Sequence, residues 1–237
     1  MHSSSIEKDI IWIVSIDIGK KNFAFYIQEI NLTEVRKIKN TPRDNRYKEN
    51  GTTTKEMESV LQQIYKTGKT ILYSNSDITM NCDKKSYLDP ETFHNMNDVL
   101  DSNIKYFDKC SYIIIEQQMS FRKGYNTMCL KLAQHCYSYF TFKYGRFKEI
   151  FYWPAYHKTQ VLGSEKIVSK RYKNGKEKYK NISKYQRKKW AVEKAKEILT
   201  MRGETNVWEE IRKNKKIDDI CDCITQCITF IFLHFIT

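Results

Sequence analysis

The apolar residues of the chain fall into short β-rich runs separated by segments with helical spacing, which is the pattern of an α/β protein. Residues 10–30 are rich in β-branched and aromatic side chains and are broken once, at Gly19, so they predict two adjacent strands. Three further strands are predicted at residues 69–79, 111–118 and 149–155. The pattern therefore predicts a central sheet of five strands.

Helices are predicted between and after these strands. Pro90 follows Asp89 and suits the first turn of a helix that runs to residue 107. Similar periodicity predicts helices at residues 126–144, 190–201 and 217–235. Residues 31–58 are polar and predict an exposed loop. We expect one domain over residues 1–237, with an insertion at residues 31–89 and a basic loop at residues 165–189.

The charge of the chain indicates a polyanionic partner. The 237 residues are enough for one well-buried core, and the formal net charge is +13 with a pI near 9.3. Nucleic acid is the first candidate and an anionic membrane the second. The first nine residues include Glu7 and Asp9 and lack an apolar signal region, and the last apolar run is about half the ~20 residues that a bilayer requires. We therefore expect an intracellular, soluble protein without a membrane partner.

The seven cysteines do not predict a metal or disulfide framework. Their number is odd, and they form neither a CxxC pair nor a histidine combination at zinc spacing. Reduced thiols that pack as small apolar side chains are the simpler interpretation.

Two acids interrupt predicted buried strands. Asp17 lies within an apolar strand, and Glu116 follows three consecutive isoleucines. A buried carboxylate requires a cation or a hydrogen-bond network, and two of them on adjacent strands would repel each other without a cation between them. The alternative for Asp17 alone is a strand-end aspartate that bonds to the turn at Gly19.

A third group of acids begins the last predicted helix. Asp219 and Asp222 are three residues apart and share one helical face, whereas we expect Asp218 to point elsewhere. The alternative is that these acids only stabilise the positive N-terminal end of the helix. Carboxylate oxygens suit Mg²⁺ or Mn²⁺, and their combination with a basic protein fits phosphodiester cleavage by two metal ions.

The order of these motifs resembles the RuvC-like Holliday junction resolvases, particularly their poxviral and mitochondrial branches. The resemblance covers most of the chain outside the insertion. It is carried by Asp17 in SIDIGKKN, Glu116 in IIIEQQ, the segment NTMCLKLAQ, Lys158 in WPAYHK and the final KKIDDICDC. It implies an RNase H-like fold with a mixed five-stranded sheet flanked by helices.

The resemblance also implies roles for individual residues. Asp17, Glu116, Asp219 and Asp222 correspond to the metal-binding acids of the family, with Asp218 as the alternative to Asp219. Lys158 corresponds to its catalytic lysine, although an ordinary phosphate contact remains the alternative. The family implies two Mg²⁺ ions per site, replaceable by Mn²⁺, and paired nicks in a four-way DNA junction during recombination and repair. It further implies a homodimer, for which the aromatic helix at residues 126–144 is the expected interface.

Residues near the acids and in the basic segment are the expected DNA contacts. They are Lys20, Lys21, Phe121, Arg122, Lys123, Lys170, Arg171, Lys173, Arg187 and Lys188. Met119 or Phe121 resembles an apolar wedge that separates bases, with core packing as the alternative for Met119. The basic segment is longer than in compact family members, and its alternative is a solvated loop.

Three other functions are compatible with parts of this pattern. An RNase H-like nuclease that cuts RNA–DNA hybrids would need the same acids. A catalytically silent nucleic-acid-binding scaffold would need only the basic surface, and a protein that docks through its apolar C-terminal helix would need neither. The abundance of lysine, isoleucine, asparagine and tyrosine, together with the resemblance, indicates a large DNA virus. Replication intermediates or concatemers in the host cytoplasm are the expected targets.

Overall fold

A mixed sheet of five strands forms the centre of the protein. The computed structural model describes residues 9–83, 87–118 and 127–237. The strands are β1 (Ile10–Asp17), β2 (Phe23–Asn31), β3 (Gly68–Ser76), β4 (Cys110–Gln117) and β5 (Glu149–Pro154). Their order is β3-β2-β1-β4-β5, in which β1, β2 and β3 pair antiparallel while β4 and β5 run parallel to β1. The predicted α/β fold with a mixed five-stranded sheet is confirmed, and the C-terminal ends of β1 and β4 meet at one edge.

Helices connect the strands and cover the sheet. They are α1 (Leu32–Lys37), α2 (Lys55–Thr67), α3 (Pro90–Ser102), α4 (Ile104–Phe107), α5 (Thr127–Tyr144), α6 (Tyr156–Val161), α7 (Lys184–Met201), α8 (Thr205–Ile211) and α9 (Ile217–Ile231). Short 3-10 and π-helical turns occur at Arg43–Asn45 and Phe232–Ile236. The helix predicted at residues 90–107 is divided at Asn103, whose side chain donates to the carbonyl of Val99.

Each face of the sheet has its own apolar core. Ile13 and Ile114 pack with α2, α7 and α9, whereas Ile16 and Ile115 pack with α3 and α5 on the opposite face. Side chains alternate between the two faces of a strand. Asp17, four residues after Ile13, and Glu116, two residues after Ile114, therefore lie on the face that α9 covers. The strand pattern thus directs both acids towards the helix that carries the aspartate cluster.

The C-terminal segment is an internal helix of this fold. Residues Ile217–Ile236 are long and apolar enough to cross a membrane, but 67% of the 18-residue window that meets this criterion is buried inside the protein. Cys223, Ile224, Cys227 and Ile228 are buried in the core cluster that includes β1 and β2. Packing against the sheet therefore accounts for the apolar composition of the helix.

Residues 31–58 are not the exposed loop that their composition predicts. They contain α1 and the beginning of α2, which Thr54 caps by accepting a hydrogen bond from the Met57 amide. Leu32, Val35 and Met57 are buried. A short helix that buries only one or two side chains per turn has a polar average composition, and this explains the incorrect prediction. Within residues 31–89, α2 joins the core and β3 forms an edge of the sheet.

The basic segment at residues 165–189 contains a hairpin followed by the first turns of α7. The hairpin strands are β6 (Ile167–Arg171) and β7 (Glu177–Lys180), which pair antiparallel. Asn174 and Gly175 lie in the connecting turn, where Gly175 has a φ of +80°. An Asn-Gly pair is a strong hairpin signal, but the surrounding lysines obscured the alternation of the strands. Helix α7 starts before the predicted residue 190, because Ser183 and Gln186 form a capping box.

Candidate metal centre

Three acids converge at the C-terminal ends of the neighbouring strands β1 and β4. Asp17 is the last residue of β1, Glu116 is the penultimate residue of β4, and Asp222 lies in the second turn of α9. Strands β1 and β4 are neighbours in parallel register through Ile16 and Ile115, so the acids that follow these residues are adjacent. Carboxylate oxygens of the three acids lie within 4.8 Å of one another. These three carboxylates could hold a metal ion.

Lys158 is the counterion of this cluster. Its Nζ lies 2.5 Å from Oε2 of Glu116 and 3.2 Å from Oδ1 of Asp222. It reaches them from α6, and only 8% of its side chain is exposed. A buried ammonium in contact with two carboxylates offsets part of their mutual repulsion.

The electrostatic environment favours proton uptake by Asp17 and Asp222 and protonation of Lys158. Burial raises the pKa of Asp17 well above its usual range, and the charge of Glu116 adds to this effect while Lys158 opposes it. Burial also raises the pKa of Asp222, again against the influence of Lys158. Burial alone would lower the pKa of Lys158, but the charges of Asp222, Glu116 and Asp17 raise it overall. The cluster therefore carries more negative charge than its lysine neutralises, which is the condition that favours a further cation.

Asp219 lies beside the three acids, outside the group whose oxygens are within 4.8 Å of one another. Its charge contributes to the raised pKa of Asp17. Its own pKa rises to about 6, first because of burial and then because of the charge of Asp218. Its Oδ2 atom is buried and has no hydrogen-bond partner among the described residues. A buried carboxylate oxygen without a donor fits a ligand position for a cation.

Asp218 points to a different partner. It forms an ion pair with Lys188 of α7, and 16% of its side chain is exposed. Asp218 and Asp219 are thus distinguished by their neighbours, since Asp218 is bound to a lysine whereas the Oδ2 atom of Asp219 has no hydrogen-bond partner in the part of the chain that the structure describes.

The residues predicted to bind DNA do not form one cluster as the acids do. Those that the structure describes lie after β1, on the hairpin and on α7. Lys20 and Lys21 follow β1, three and four residues after Asp17, and Lys21 is exposed. Lys170, Arg171 and Lys173 are exposed on the hairpin, and Arg187 is exposed on α7. Lys188, another of the predicted DNA contacts, forms an ion pair with Asp218 of α9. Phe121, Arg122, Lys123 and Met119 lie outside the described residues.

Two polar side chains that were not predicted lie behind the acids. Ser15 is two residues before Asp17 on the same face of β1, and Gln226 is one turn after Asp222 on α9. Nε2 of Gln226 donates to Oγ of Ser15 at 3.0 Å, and both residues are fully or almost fully buried. This bond joins the two elements that carry the acids. The sequence signal that could have identified this pair is a polar residue inside each of the two apolar runs, β1 and α9.

Comparison with known proteins identifies one close sequence relative. An uncharacterized protein, 170L of Invertebrate iridescent virus 6, is 31% identical over 240 residues, which span 97% of this chain and 92% of the viral protein. No family model matches the chain.

Solved structures give the fold. The yeast mitochondrial Holliday junction resolvase superposes with a TM-score of 0.50 at 12% identity, covering 96% of this chain and 82% of the yeast chain. RuvC of Thermus thermophilus gives a TM-score of 0.49 at 10% identity, covering 94% and 95% of the two chains. The superposition on the yeast protein confirms the predicted RNase H-like fold. By sequence, the chain belongs to the family of the iridescent virus protein 170L.

Proposed function

We propose that this protein is a metal-dependent endonuclease that resolves four-way DNA junctions. The observation that carries the proposal is the convergence of Asp17, Glu116 and Asp222 at the end of two parallel strands. The acids occur on a fold shared with a yeast Holliday junction resolvase, in a chain with a net charge of +13. A catalytically silent scaffold would need the basic surface but would have no use for three converging carboxylates.

The donor set fits hard divalent cations. The available ligand atoms are carboxylate oxygens. Asp219 adds a fourth acid to the three that converge, and its buried Oδ2 has no hydrogen-bond partner within residues 9–83, 87–118 and 127–237. Mg²⁺ prefers such oxygens, and Mn²⁺ is expected to substitute for it. Two ions held by Asp17, Glu116, Asp219 and Asp222 would activate a water molecule and stabilise the charge that develops on the phosphate. Asp218 is assigned no ligand role.

The reaction is a hydrolysis with in-line geometry. The oxygen of water gives up a proton and forms a bond to phosphorus, the bond between phosphorus and the 3′ oxygen breaks, and the 3′ oxygen receives a proton, so that there is no net loss of protons in these steps. The products carry 5′ phosphates and 3′ hydroxyl groups. The four acids would hold the cations that bind the phosphate at the strand ends, and Lys158 fixes Glu116 and Asp222 relative to each other.

The basic surface is proposed to hold the arms of the junction. Exposed lysines and arginines lie along the hairpin and the start of α7, and tyrosines lie among them. The Nζ of Lys170 lies 4.9 Å from the ring centre of Tyr172, and that of Lys189 lies 4.7 Å from the ring centre of Tyr185. Cations supported on aromatic rings are suited to phosphate backbones and unpaired bases. Lys20 and Lys21 would extend this surface to the metal centre.

Two such sites would be needed for one junction. A junction with two-fold symmetry requires two matched cuts, and a homodimer with two-fold symmetry supplies them. Helix α5 is the proposed interface, and two large apolar residues at its C-terminal end are exposed: Phe142 in the last turn to 91% and Phe147, three residues after the helix, to 98%. Sedimentation equilibrium of the purified protein measures the assembly directly, and a monomer at micromolar concentration would contradict this part of the proposal.

A cleavage assay tests the function. The purified protein is incubated with a labelled four-way DNA junction, a matched duplex and an RNA–DNA hybrid, with Mg²⁺ or with EDTA, alongside the variant Glu116→Gln. Paired, Mg²⁺-dependent cuts in the junction that the variant does not make are the expected result. Preferred cleavage of the hybrid would instead indicate an RNase H-type enzyme, and junction binding without cleavage in any metal would indicate a scaffold.

The sequence relative and the proposed substrate support a biological setting. The similar protein 170L comes from Invertebrate iridescent virus 6. We propose that this chain is a soluble viral protein that acts on recombination or replication intermediates in the cytoplasm of the host.

A further inference from the structure

Lys188 is a second cation next to the acids, and it differs from Lys158 in its access to solvent. About 40% of the Lys188 side chain is exposed, compared with 8% for Lys158. Lys158 contacts Glu116 and Asp222 from α6, whereas Lys188 contacts Asp218 from α7. A phosphate that approaches from solvent can therefore meet Lys188 without any rearrangement of the buried cluster.

The charges of the α9 aspartates act on Lys188. Burial alone would lower its pKa, but the hydrogen bond and charge of Asp218 and the charges of Asp219 and Asp222 raise it overall. The ammonium is thus close to two of the proposed ligands although its direct partner is Asp218. It remains charged at any pH at which a nuclease would operate.

The position of Lys188 in the chain links the metal centre to the basic hairpin. Strand β7 ends at Lys180, Ser183 caps α7, and Lys188 follows in the second turn of this helix. Helix α7 packs along α9, which carries the acids. A DNA strand held by the hairpin and by the start of α7 would pass Lys188 before it reached the carboxylates.

We propose that Asp218 positions Lys188 so that its ammonium contacts a non-bridging oxygen of the scissile phosphate at the metal centre. Lys188 is then a catalytic residue and Asp218 a positioning residue. This inference rests on the proposed nuclease function and deepens it. It also assigns Asp218 a role other than that of a metal ligand.

Three variants and one control test the proposal. Lys188→Met removes the ammonium, Lys188→Arg keeps a cation, and Asp218→Asn removes the charge that orients it. Lys196→Met is the matched control, because this lysine is exposed on the same helix, eight residues after Lys188. Circular dichroism melts establish that each variant is folded before its activity is measured.

Three measurements separate positioning from general binding. Single-turnover cleavage of the four-way junction in Mg²⁺ is expected to slow on the order of 10²-fold in Lys188→Met, as for the loss of one preorganised donor. Asp218→Asn is expected to slow it about 10-fold and Lys188→Arg less than that, since these variants retain a cation. The affinity of each variant for the junction in EDTA should change by only a few-fold, because Lys188 would supply only one of many contacts to phosphate. Mn²⁺ affinity by calorimetry should not weaken in any of the variants.

Other outcomes overturn the inference in distinguishable ways. Weaker Mn²⁺ binding in Asp218→Asn, together with normal cleavage by Lys188→Met, would make Asp218 a ligand. Cleavage rates in Lys188→Met equal to those of Lys196→Met would reduce the pair to a surface ion pair. If the wild-type protein cleaves no junction in any metal, the proposed function fails and this role of Lys188 fails with it. If the wild type cleaves and the variants match it, only the present inference fails.

Discussion

Replacing Lys158 by methionine should destabilise the metal-free protein. The substitution removes the ammonium that lies 2.5 Å from Glu116 and 3.2 Å from Asp222, and it leaves these carboxylates without their counterion. Loss of one partner from a buried ion pair costs about 3–5 kcal/mol. Proton uptake by Asp17 and Asp222, whose pKa values are already raised, recovers part of this, so we expect a loss of about 3 kcal/mol. In a protein of this size the loss corresponds to a decrease in Tm of about 6–12 °C.

Thermal melts in EDTA measure this loss, with Lys37→Met as the control. Lys37 also forms an ion pair, at 2.8 Å from Glu34, but its side chain is 66% exposed and its removal should have little effect. Without Lys158, the pKa values of Asp17 and Asp222 rise further above their values in the unfolded chain. The penalty is then present at high pH and is relieved as the pH falls, so the difference from wild type should narrow between pH 8 and pH 5.5. Added Mg²⁺ should raise the Tm of Lys158→Met more than that of the wild type. Equal Tm values for Lys158→Met and Lys37→Met in EDTA would refute the assignment of Lys158 as the counterion.

Three further predictions concern the acids, the core and the DNA surface. Mn²⁺ affinity measured by calorimetry should fall between pH 7.5 and pH 5.5, because the pKa of Asp219 is raised to about 6 and the ion must then displace a proton; constant affinity would exclude Asp219 as a ligand. Arg202→Met should lower the free energy of unfolding in urea by about 3 kcal/mol, since the buried guanidinium donates to a carbonyl, a tyrosine hydroxyl and an amide oxygen. An unchanged urea midpoint would contradict this. Joint replacement of Lys173, Lys176 and Lys178 by glutamine should weaken the salt dependence of junction binding, measured by fluorescence anisotropy. The slope of log K against log salt concentration should decrease in magnitude by up to about 3. An unchanged slope would place the DNA elsewhere.

The importance of the acids could be anticipated because each one breaks a simple pattern. Asp17 and Glu116 are carboxylates within runs of isoleucine, and such residues must meet a cation or a polar network. Their adjacency follows from the parallel pairing of β1 and β4, and their convergence with Asp222 follows from the packing of α9 against the sheet. The sequence patterns marked the acids, whereas the strand order that brings them together came from the structure. Their role as metal ligands remains a proposal.

The peripheral structure could not be anticipated in the same way. The basic hairpin has a turn signal at Asn174 and Gly175, but its strands are composed mainly of lysine and other polar residues that show no apolar face. Helix α2 is different, because its buried residues Met57, Val60, Leu61, Ile64 and Tyr65 recur at helical spacing. The sequence therefore contained the signal for this helix, and the average composition of residues 31–58 concealed it. The hairpin has no such periodic signal in its strands.

The assignment of Asp219 rather than Asp218 shows where sequence spacing stops being sufficient. Successive residues of an α-helix are about 100° apart, so Asp218 and Asp219 both lie within about 60° of Asp222 on the surface of α9. The spacing of three residues, which favoured Asp219 in the sequence, therefore does not exclude Asp218. The distinction arises from α7, where Lys188 binds Asp218, while the buried Oδ2 of Asp219 has no hydrogen-bond partner among the residues that the structure describes. If the partner of Asp218 determines the ligand set in this way, removal of Lys188 should also release Asp218 to compete for the metal, and Mn²⁺ binding in Lys188→Met should become at least as strong as in the wild type.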